Sequence, residues 1–349
     1  MEDPRRPRLR EPRSDASEAV YTRSADRSVP GRPEDFATLI DLPWTLMRLS
    51  GEKAEEMLNS VLTNQVPEED HLGVYALLLN PKGRIQTDLR VLKSAGEVLL
   101  VVEPEGAAAA KELLGRYAPF YRIGLEDLSG TEAAWGVIGL YGPRSGELLG
   151  GLELAEYESA DVTLGGADLL AAGVAVPVPG YDLLGPADAL DAAREHLTGR
   201  GAVPVGLHAY ETARIAGGVP RFGADITPEN FPGESENALG RAVNFGKGCY
   251  PGQETVARMR YRGGPNKKLY RFELEPSPTK MPEAGDEILQ GKEALDGTAS
   301  PAGVVGWLTS VAPLQVDGRT YALGYLARKA DLEAPMRTRG TRVLGATAA

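Results

Sequence analysis

From Trp44 onward the chain alternates apolar and polar positions in two periods. TLMRLSG (45–51) reads as a strand, and Ala54, Met57, Leu58, Val61 and Leu62 then recur at i, i+3, i+4, i+7 and i+8. That spacing predicts a helix with one buried face, with Ser50 as its N-cap. Each large apolar side chain withdrawn from water contributes about 1.5–3 kcal/mol, so the stripe holds the helix against a sheet. Val74–Leu79 and Arg84–Leu92 read as strands around Asn80-Pro81-Lys82-Gly83, whose Pro and Gly suit a tight hairpin turn. Glu97–Val102 reads as a further strand and 107–117 as a helix.

A second group follows. Trp135–Leu140 is strand-like and ends at Gly142-Pro143, the run 161–172 is broken at Gly165-Gly166, and Pro186 is placed to open a helix through Leu197 at its first position. Hairpin signals between helices favour helices packed on antiparallel sheets over a doubly wound parallel sheet. From Lys267 the chain becomes short strands, LYRFEL, GVVGWLT and TYALGYLA, separated by Gly, Pro and Asp, which predicts a small β-barrel. The expected organisation is a disordered tail over 1–35, a first α+β part over 36–130, a second over 131–265 and a C-terminal barrel with its tail over 266–349.

Composition narrows the possibilities. The 349 residues are 42% hydrophobic and 25% charged, with a net charge of −11, which disfavours a general nucleic-acid coat because phosphate binding draws on surplus cation. No run approaches the roughly 18 apolar residues that span a bilayer, and the N-terminus lacks a secretory apolar core, so no membrane partner and a cytoplasmic location are expected. Residues 1–35 hold eight Arg, eight acids and five Pro, too little apolar surface to offset chain entropy. Cys249 is the sole cysteine, which excludes an internal disulfide or an all-cysteine cluster site within one chain. His71, His196 and His208 are too widely spaced to form a helical ligand pair, and no metal site is expected.

Against this acidic background, Arg241–Arg271 carries eight cations and one acid, a local charge of +7. Such a cluster is assembled against its own repulsion and points to an anionic ligand or partner, with a solvated arginine face as the plain alternative. Within it lies KGCYPGQE (247–254). Pro251 and Gly252 occupy the central places of a type II turn, and a short helix is predicted to start beyond them. Cys249 is thereby placed close to a helix N-terminus and two residues from Lys247, both of which favour thiolate over thiol. The alternative for a lone cysteine is a small buried hydrophobe.

With this octapeptide in view, the sequence resembles the YgfZ-type folate-binding proteins, relatives of the aminomethyltransferase (T-protein) of the glycine-cleavage system. The likeness runs over about residues 40–330. Besides KGCYPGQETVAR it rests on MRLSG with LTNQV (47–66), YALLLNPKGRIQTDL (75–89), GYDLLGP (180–186), PVGLHAYETARI (204–215), GVPRFGADI (218–226) and GVVGWLTS (303–310). It implies two ferredoxin-like α+β units and a C-terminal β-barrel around a central channel that accepts tetrahydrofolate. It also implies an accessory factor that supports assembly or repair of iron-sulfur clusters, including those of tRNA-modifying enzymes, with iron-sulfur enzymes or assembly proteins as partners.

The resemblance places Tyr75 and Asp88 at the folate site, Asp88 matching the catalytic acid of the T-protein, while the acid paired with it there is here Thr87. The T-protein's pterin-binding Glu corresponds to Ala216, and its asparagine after the strand matching LLVV corresponds to Glu103. Cys249 and Gln253 belong to the YgfZ branch. The expected reactive residues are therefore Cys249 and Asp88. The expected folate-binding residues are Tyr75 and Asp88 at the ring, and Lys247, Gln253, Glu254, Arg258 and Arg260 in the basic segment, whose charge suits the anionic glutamate tail. Gln253 and Glu254 serve equally well as caps of the helix they begin. A folate-dependent aminomethyltransferase or demethylase using Asp88 as acid-base group is the rival reading. A tRNA-contacting module through the arginines is a third, although direct nucleic-acid binding is not expected at this net charge.

Overall fold

The computed structural model describes residues 37–130, 134–276, 281–291, 303–316 and 318–349. The segment expected to be a disordered tail lies outside them. The first α+β unit comprises β2 (Thr45–Ser50), α1 (Ala54–Val61), β3 (Val74–Leu79), β4 (Ile85–Ser94), β5 (Glu97–Val102), α2 (Pro104–Tyr121) and β6 (Gly124–Asp127), with sheet order β3-β4-β5-β2-β6. The second sheet has the order β11-β1-β7-β10-β9-β8. Its strands are β1 (Thr38–Leu42), β7 (Trp135–Tyr141), β8 (Ser159–Leu164), β9 (Ala167–Val174), β10 (Gly180–Pro186) and β11 (Val203–Pro204), with α3 (Ser145–Leu148) and α4 (Ala187–Gly199) among them. Every pairing is antiparallel except β1 with β11. Strand β1, although it precedes β2 in the chain, pairs with β7 across Thr38–Leu42.

Helices α5 (Leu207–Ala216), α6 (Glu236–Ala242) and α7 (Gln253–Tyr261) lead to a closed barrel of order β12-β15-β14-β13-β16-β17. Its strands are β12 (Lys267–Leu274), β13 (Glu287–Gln290), β14 (Gly303–Val311), β15 (Thr320–Ala327), β16 (Met336–Thr338) and β17 (Thr341–Ala348). The expected fold class is met: an α+β protein of two sheet-and-helix units with a C-terminal β-barrel. Among the described residues no helix is long and apolar enough to cross a membrane.

Strand alternation explains how the layers stack. Met47, Leu49, Leu89, Val91, Val98 and Leu100 face α1 and α2, while Leu46, Leu92, Leu99 and Val101 face the second sheet. From that sheet Ile40, Val137, Leu170, Ala172 and Leu184 meet them, and Leu39, Ile138, Leu169, Ala171 and Leu183 pack outward on α4. The molecule is thus layered helix, sheet, sheet, helix, and strands buried on both faces read as nearly continuous apolar runs.

Some sequence expectations shift. Ser50 ends β2, and Lys53 stands at the N-cap of α1 without a capping side-chain bond. The chain needs those residues to turn from strand to helix, with Gly51 at φ 127°. Pro186 closes β10 and is the N-cap residue of α4, not its first helical residue. The 161–172 run is a hairpin, β8 with β9, turning at Gly165 (φ 61°) and Gly166 (φ 85°). Strands β1 and β10 and helix α5 carried no periodic signal strong enough to be read as elements.

Candidate functional site

The Asn80–Gly83 turn sets the register of β3 and β4. The Asn80 side chain accepts from the backbone N–H groups of Lys82 (2.9 Å) and Arg84 (3.1 Å), and Gly83 supplies φ 80°. Asp88 pairs across β3 with Leu77, and Asp88 and Arg90, two apart on β4, project to the same side. There they meet the end of β5, the tip of β9 and one face of α5 around a cleft of about 90 Å³.

The cleft has polar and aromatic walls: Trp44, Tyr75, Tyr157 and Tyr210 surround Asp88, Arg90, Glu103 and Arg241. Tyr75 donates its hydroxyl to Asp88 Oδ2 at 2.7 Å, and Asp88 Oδ1 is buried with no partner among the described residues. Burial raises the Asp88 pKa, opposed by the Tyr75 hydrogen bond and by the charges of Arg90 and Arg241. Burial and the adjacent Asp88 carboxylate drive the Tyr75 hydroxyl well above its ordinary value, so it remains a donor. Arg241, the one cation of the basic segment that lines the cleft, lies over the rings of Tyr75 (5.3 Å) and Tyr157 (5.9 Å) and pairs with Glu156. Asn64 of the LTNQV motif donates to the carbonyls of both Tyr75 (2.9 Å) and Arg241 (3.0 Å), locking the two strips together. Arg90 stacks on Trp44 (4.3 Å) and is paired with Asp182 of β10, which is fully buried. Trp44 Nε1 donates to Glu103 Oε1 at 3.1 Å. Glu103 keeps some accessible surface where it lines the cleft, yet burial, then the Asp88 charge, pushes its pKa up to about 8.

Of the residues expected at the site, Tyr75 and Asp88 come together here, whereas Lys247, Cys249, Gln253, Glu254, Arg258 and Arg260 do not line the cleft. Lys247 donates to the carbonyls of Asn59 (2.9 Å) and Leu62 (2.5 Å), closing the C-terminal end of α1, and burial lowers its pKa to about 8. Its ammonium is engaged by those carbonyls. Cys249 is exposed on the surface loop before α7, where a buried-hydrophobe reading does not apply. Gln253 and Glu254 begin α7, whose N-cap is Gly252 and has no side-chain cap bond. Glu254 in the first turn complements the helix dipole. Arg258 and Arg260 stand exposed on α7, Arg260 stacked on Phe245 at 3.9 Å. Thr87, where the family's second acid would be, is buried, its hydroxyl donating to the Asp88 carbonyl at 3.0 Å. Ala216 is buried against Val316 of the barrel region and does not line the cleft. Arg90 was legible in principle, two residues beyond Asp88 on a strand; Trp44, Tyr157 and Tyr210 carried no such signal.

The YPGQ turn forms as expected, Gly252 at φ 81°, ψ 0° and Gln253 N–H donating to the Tyr250 carbonyl at 3.3 Å. It stacks on the Asn80–Gly83 turn. A Cβ on Gly252 would lie 2.6 Å from Gly83 Cα and 2.7 Å from the Asn80 carbonyl oxygen. The glycines of the two motifs therefore serve one close backbone contact. Gly252→Ala is expected to cost about 2 kcal/mol from left-handed strain and overlap, read as a lower urea midpoint at unchanged slope; an unmoved midpoint would refute this contact.

A family model described as the GCVT N-terminal domain matches residues 39–247, which span both sheets and stop two residues short of Cys249. Among curated relatives, an aminomethyltransferase of Frankia alni is 30% identical, with 72% of this chain and 71% of that protein covered. A protein of Edwardsiella ictaluri named tRNA-modifying protein YgfZ is 27% identical, covering 75% and 80%. Among solved structures, the glycine cleavage system aminomethyltransferase T of Bartonella henselae superposes with a TM-score of 0.69 at 22% identity, covering 94% of this chain and 86% of that one.

Proposed function

The chain belongs to the family defined by the GCVT N-terminal domain, and from that premise we propose that it is a folate-binding accessory protein supporting assembly or repair of iron-sulfur clusters, including those of tRNA-modifying enzymes. The observation that carries the folate reading is the aromatic cleft with a buried, half-partnered carboxyl, that of Asp88, whose Oδ1 meets no donor among the described residues. An orphaned acceptor of this kind is costly unless a ligand or water meets it. A tetrahydrofolate ring supplies N–H donors and a flat face, and Asp88, Glu103, Arg90 and Trp44 are the residues to hold it. Bound there, the folate supplies one-carbon carrier chemistry. The accessory reading rests on KGCYPGQE, which presents Cys249 outside the cleft, accessible to a partner. A single thiol holds no cluster alone, so a client or assembly protein provides the remaining ligands. A cytoplasmic location belongs to the same proposal.

Calorimetric titration with tetrahydrofolate tests both halves. Asp88→Ala is expected to weaken binding by about 10- to 100-fold, the effect of removing a charged hydrogen-bond partner. Cys249→Ala is expected to bind folate and melt like the parent while failing to restore iron-sulfur enzyme activity in cells lacking this protein. Full restoration by Cys249→Ala removes the thiol from the proposal. Enzymatic turnover of an aminomethyl donor to methylene-tetrahydrofolate would install the transferase reading in its place.

A further inference from the structure

Of the eight cations in the basic segment, five have a use inside the fold. Arg241 enters the cleft, Lys247 closes α1, and Lys267, Lys268 and Arg271 hold Glu234, Glu236 and Glu273. Arg258, Arg260 and Arg262 are left over. Elsewhere on the surface Arg116, Arg144, Arg194 and Arg339 each hold a carboxylate, whereas among the described residues these three hold none.

Helix α7 buries only Val256, so most of its side chains face water. Arg258 and Tyr261, at i and i+3, share one face of it, and Arg262 follows at the C-cap. Tyr261 is 69% exposed. Its ring is nevertheless held in place: Phe245 meets it edge-on at 6.3 Å, and the Arg260 guanidinium lies 3.9 Å from the Phe245 centroid and 5.6 Å from that of Tyr261. The fold then adds cations from a remote part of the chain. Arg328, just past β15, donates its backbone N–H to the Asn266 carbonyl at 2.8 Å and its guanidinium to the Gly263 carbonyl, tying the end of β15 to the loop that leaves α7. Lys329 comes next, exposed and without a carboxylate among the described residues. The acids closest in sequence are Glu254 in the first turn of α7 and Asp331 and Glu333 beyond Lys329, and none of them is paired with these cations.

We propose that the C-terminal half of α7, with the end of β15 beside it, binds an unpaired stretch of RNA, its arginines and Lys329 meeting phosphates while the Tyr261 ring stacks on a base. The inference goes beyond the folate reading and stands without it. An acidic protein surface would ask for cations alone, whereas here an exposed ring is fixed among guanidiniums. Stacking on aromatic rings beside a cationic track is how unpaired strands are held. A paired helix offers phosphates but keeps its base faces covered. The net charge of −11 disfavours a general coat and leaves room for a local site, because charges farther than about 8 Å are largely screened at physiological salt.

The test is fluorescence anisotropy of a labelled oligouridylate of about 12 nucleotides, within the site sizes of single-strand binders, titrated with the full chain. Between about 0.05 and 0.2 M salt, log Kd should rise with log salt at a slope of about 2–3, as for three or four neutralised phosphates. Arg262→Ala should lower that slope by about 0.7. Tyr261→Ala should weaken binding by about tenfold at an unchanged slope, and Tyr261→Phe should bind like the parent. Both residues are exposed, and melts followed by circular dichroism check that the variants fold. A fully paired RNA of the same length bound as tightly as the single strand overturns the assignment. So does a polyglutamate peptide bound as tightly, which would give the face to an acidic protein instead. Parent affinity in Tyr261→Ala, or no binding of oligouridylate by the parent at about 0.05 M salt, overturns it as well. Tetrahydrofolate titration of the same preparations reads the cleft separately, so the two readings fail independently.

Discussion

Asp182→Ala is expected to destabilise the protein by about 4 kcal/mol, lowering its melting temperature by on the order of 10 °C. Asp182 has no exposure in a central strand of the second sheet, and its two oxygens are divided between Arg90 of the first sheet and the hydroxyl of Tyr141. Removing it leaves the Arg90 guanidinium in a largely dry layer without its carboxylate, and an uncompensated buried charge is the expensive outcome. Among the described residues one nitrogen of Arg90, Nη2, already lacks a hydrogen-bond partner. Asp182→Asn keeps one acceptor oxygen and is expected to cost about half as much. The alanine variant should also weaken tetrahydrofolate binding, because Arg90, which lines the cleft, loses the carboxylate that holds it against Trp44. Thermal melts of the two variants with and without tetrahydrofolate check this; an alanine variant within 1 °C of the parent, with unchanged ligand-induced stabilisation, would show that the inter-sheet pair is dispensable.

Arg214→Ala is expected to have a comparable effect, about 3–5 kcal/mol, at the junction of α5 with the barrel. The Arg214 guanidinium, 3% exposed, donates to Asp225 Oδ2 (2.7 Å), to both oxygens of Glu211 (2.8 and 2.6 Å) and to Ser310 Oγ of β14 (3.1 Å). Asp225, wholly buried, also accepts from the Thr309 hydroxyl and from the Arg221 backbone N–H at 3.1 Å. Alanine strands Asp225 as an unpaired buried anion. The same helix presents Tyr210 to the cleft, so loosening it from β14 should raise the Kd for tetrahydrofolate as well as lower the denaturant midpoint. In a double-mutant cycle, Asp225→Asn should recover part of the loss, because the stranded group is then uncharged. Strict additivity of the two substitutions would mean that the pair is not the source of the cost.

These two charge centres mark the limit of what pattern reading reaches. GYDLLGP was legible as a family motif and not as a strand, since an acid in the middle of a strand contradicts the expectation of an apolar interior. The Asp is tolerated there because Arg90, 92 positions away, and Tyr141 meet it. Likewise PVGLHAYETARI hid a helix whose arginine is nearly inaccessible, satisfied by groups up to 96 residues distant. Charged side chains are buried only when paired, and the partners of both are remote in sequence.

The local grammar of the chain determined a great deal. The apolar stripe of α1, the Asn-Pro-Lys-Gly hairpin, the Pro-Gly turn before α7 and the short barrel strands all follow from neighbours within about a turn or a strand, where period and backbone preference suffice. The octapeptide's likeness was legible too, and through it Tyr75 and Asp88 as site residues, whereas the hydrogen bond between them came from the structure. Tertiary structure alone decided that the basic segment sends only Arg241 into the cleft, that Lys247 is spent on the end of α1, and that Cys249 stands apart from the site on an exposed loop. It also decided that Glu103 and Asp88 share one cavity. Those outcomes depend on how two sheets and a barrel are brought face to face, and the dielectric and the spacing between charges that govern a carboxyl's state exist only after that packing is complete.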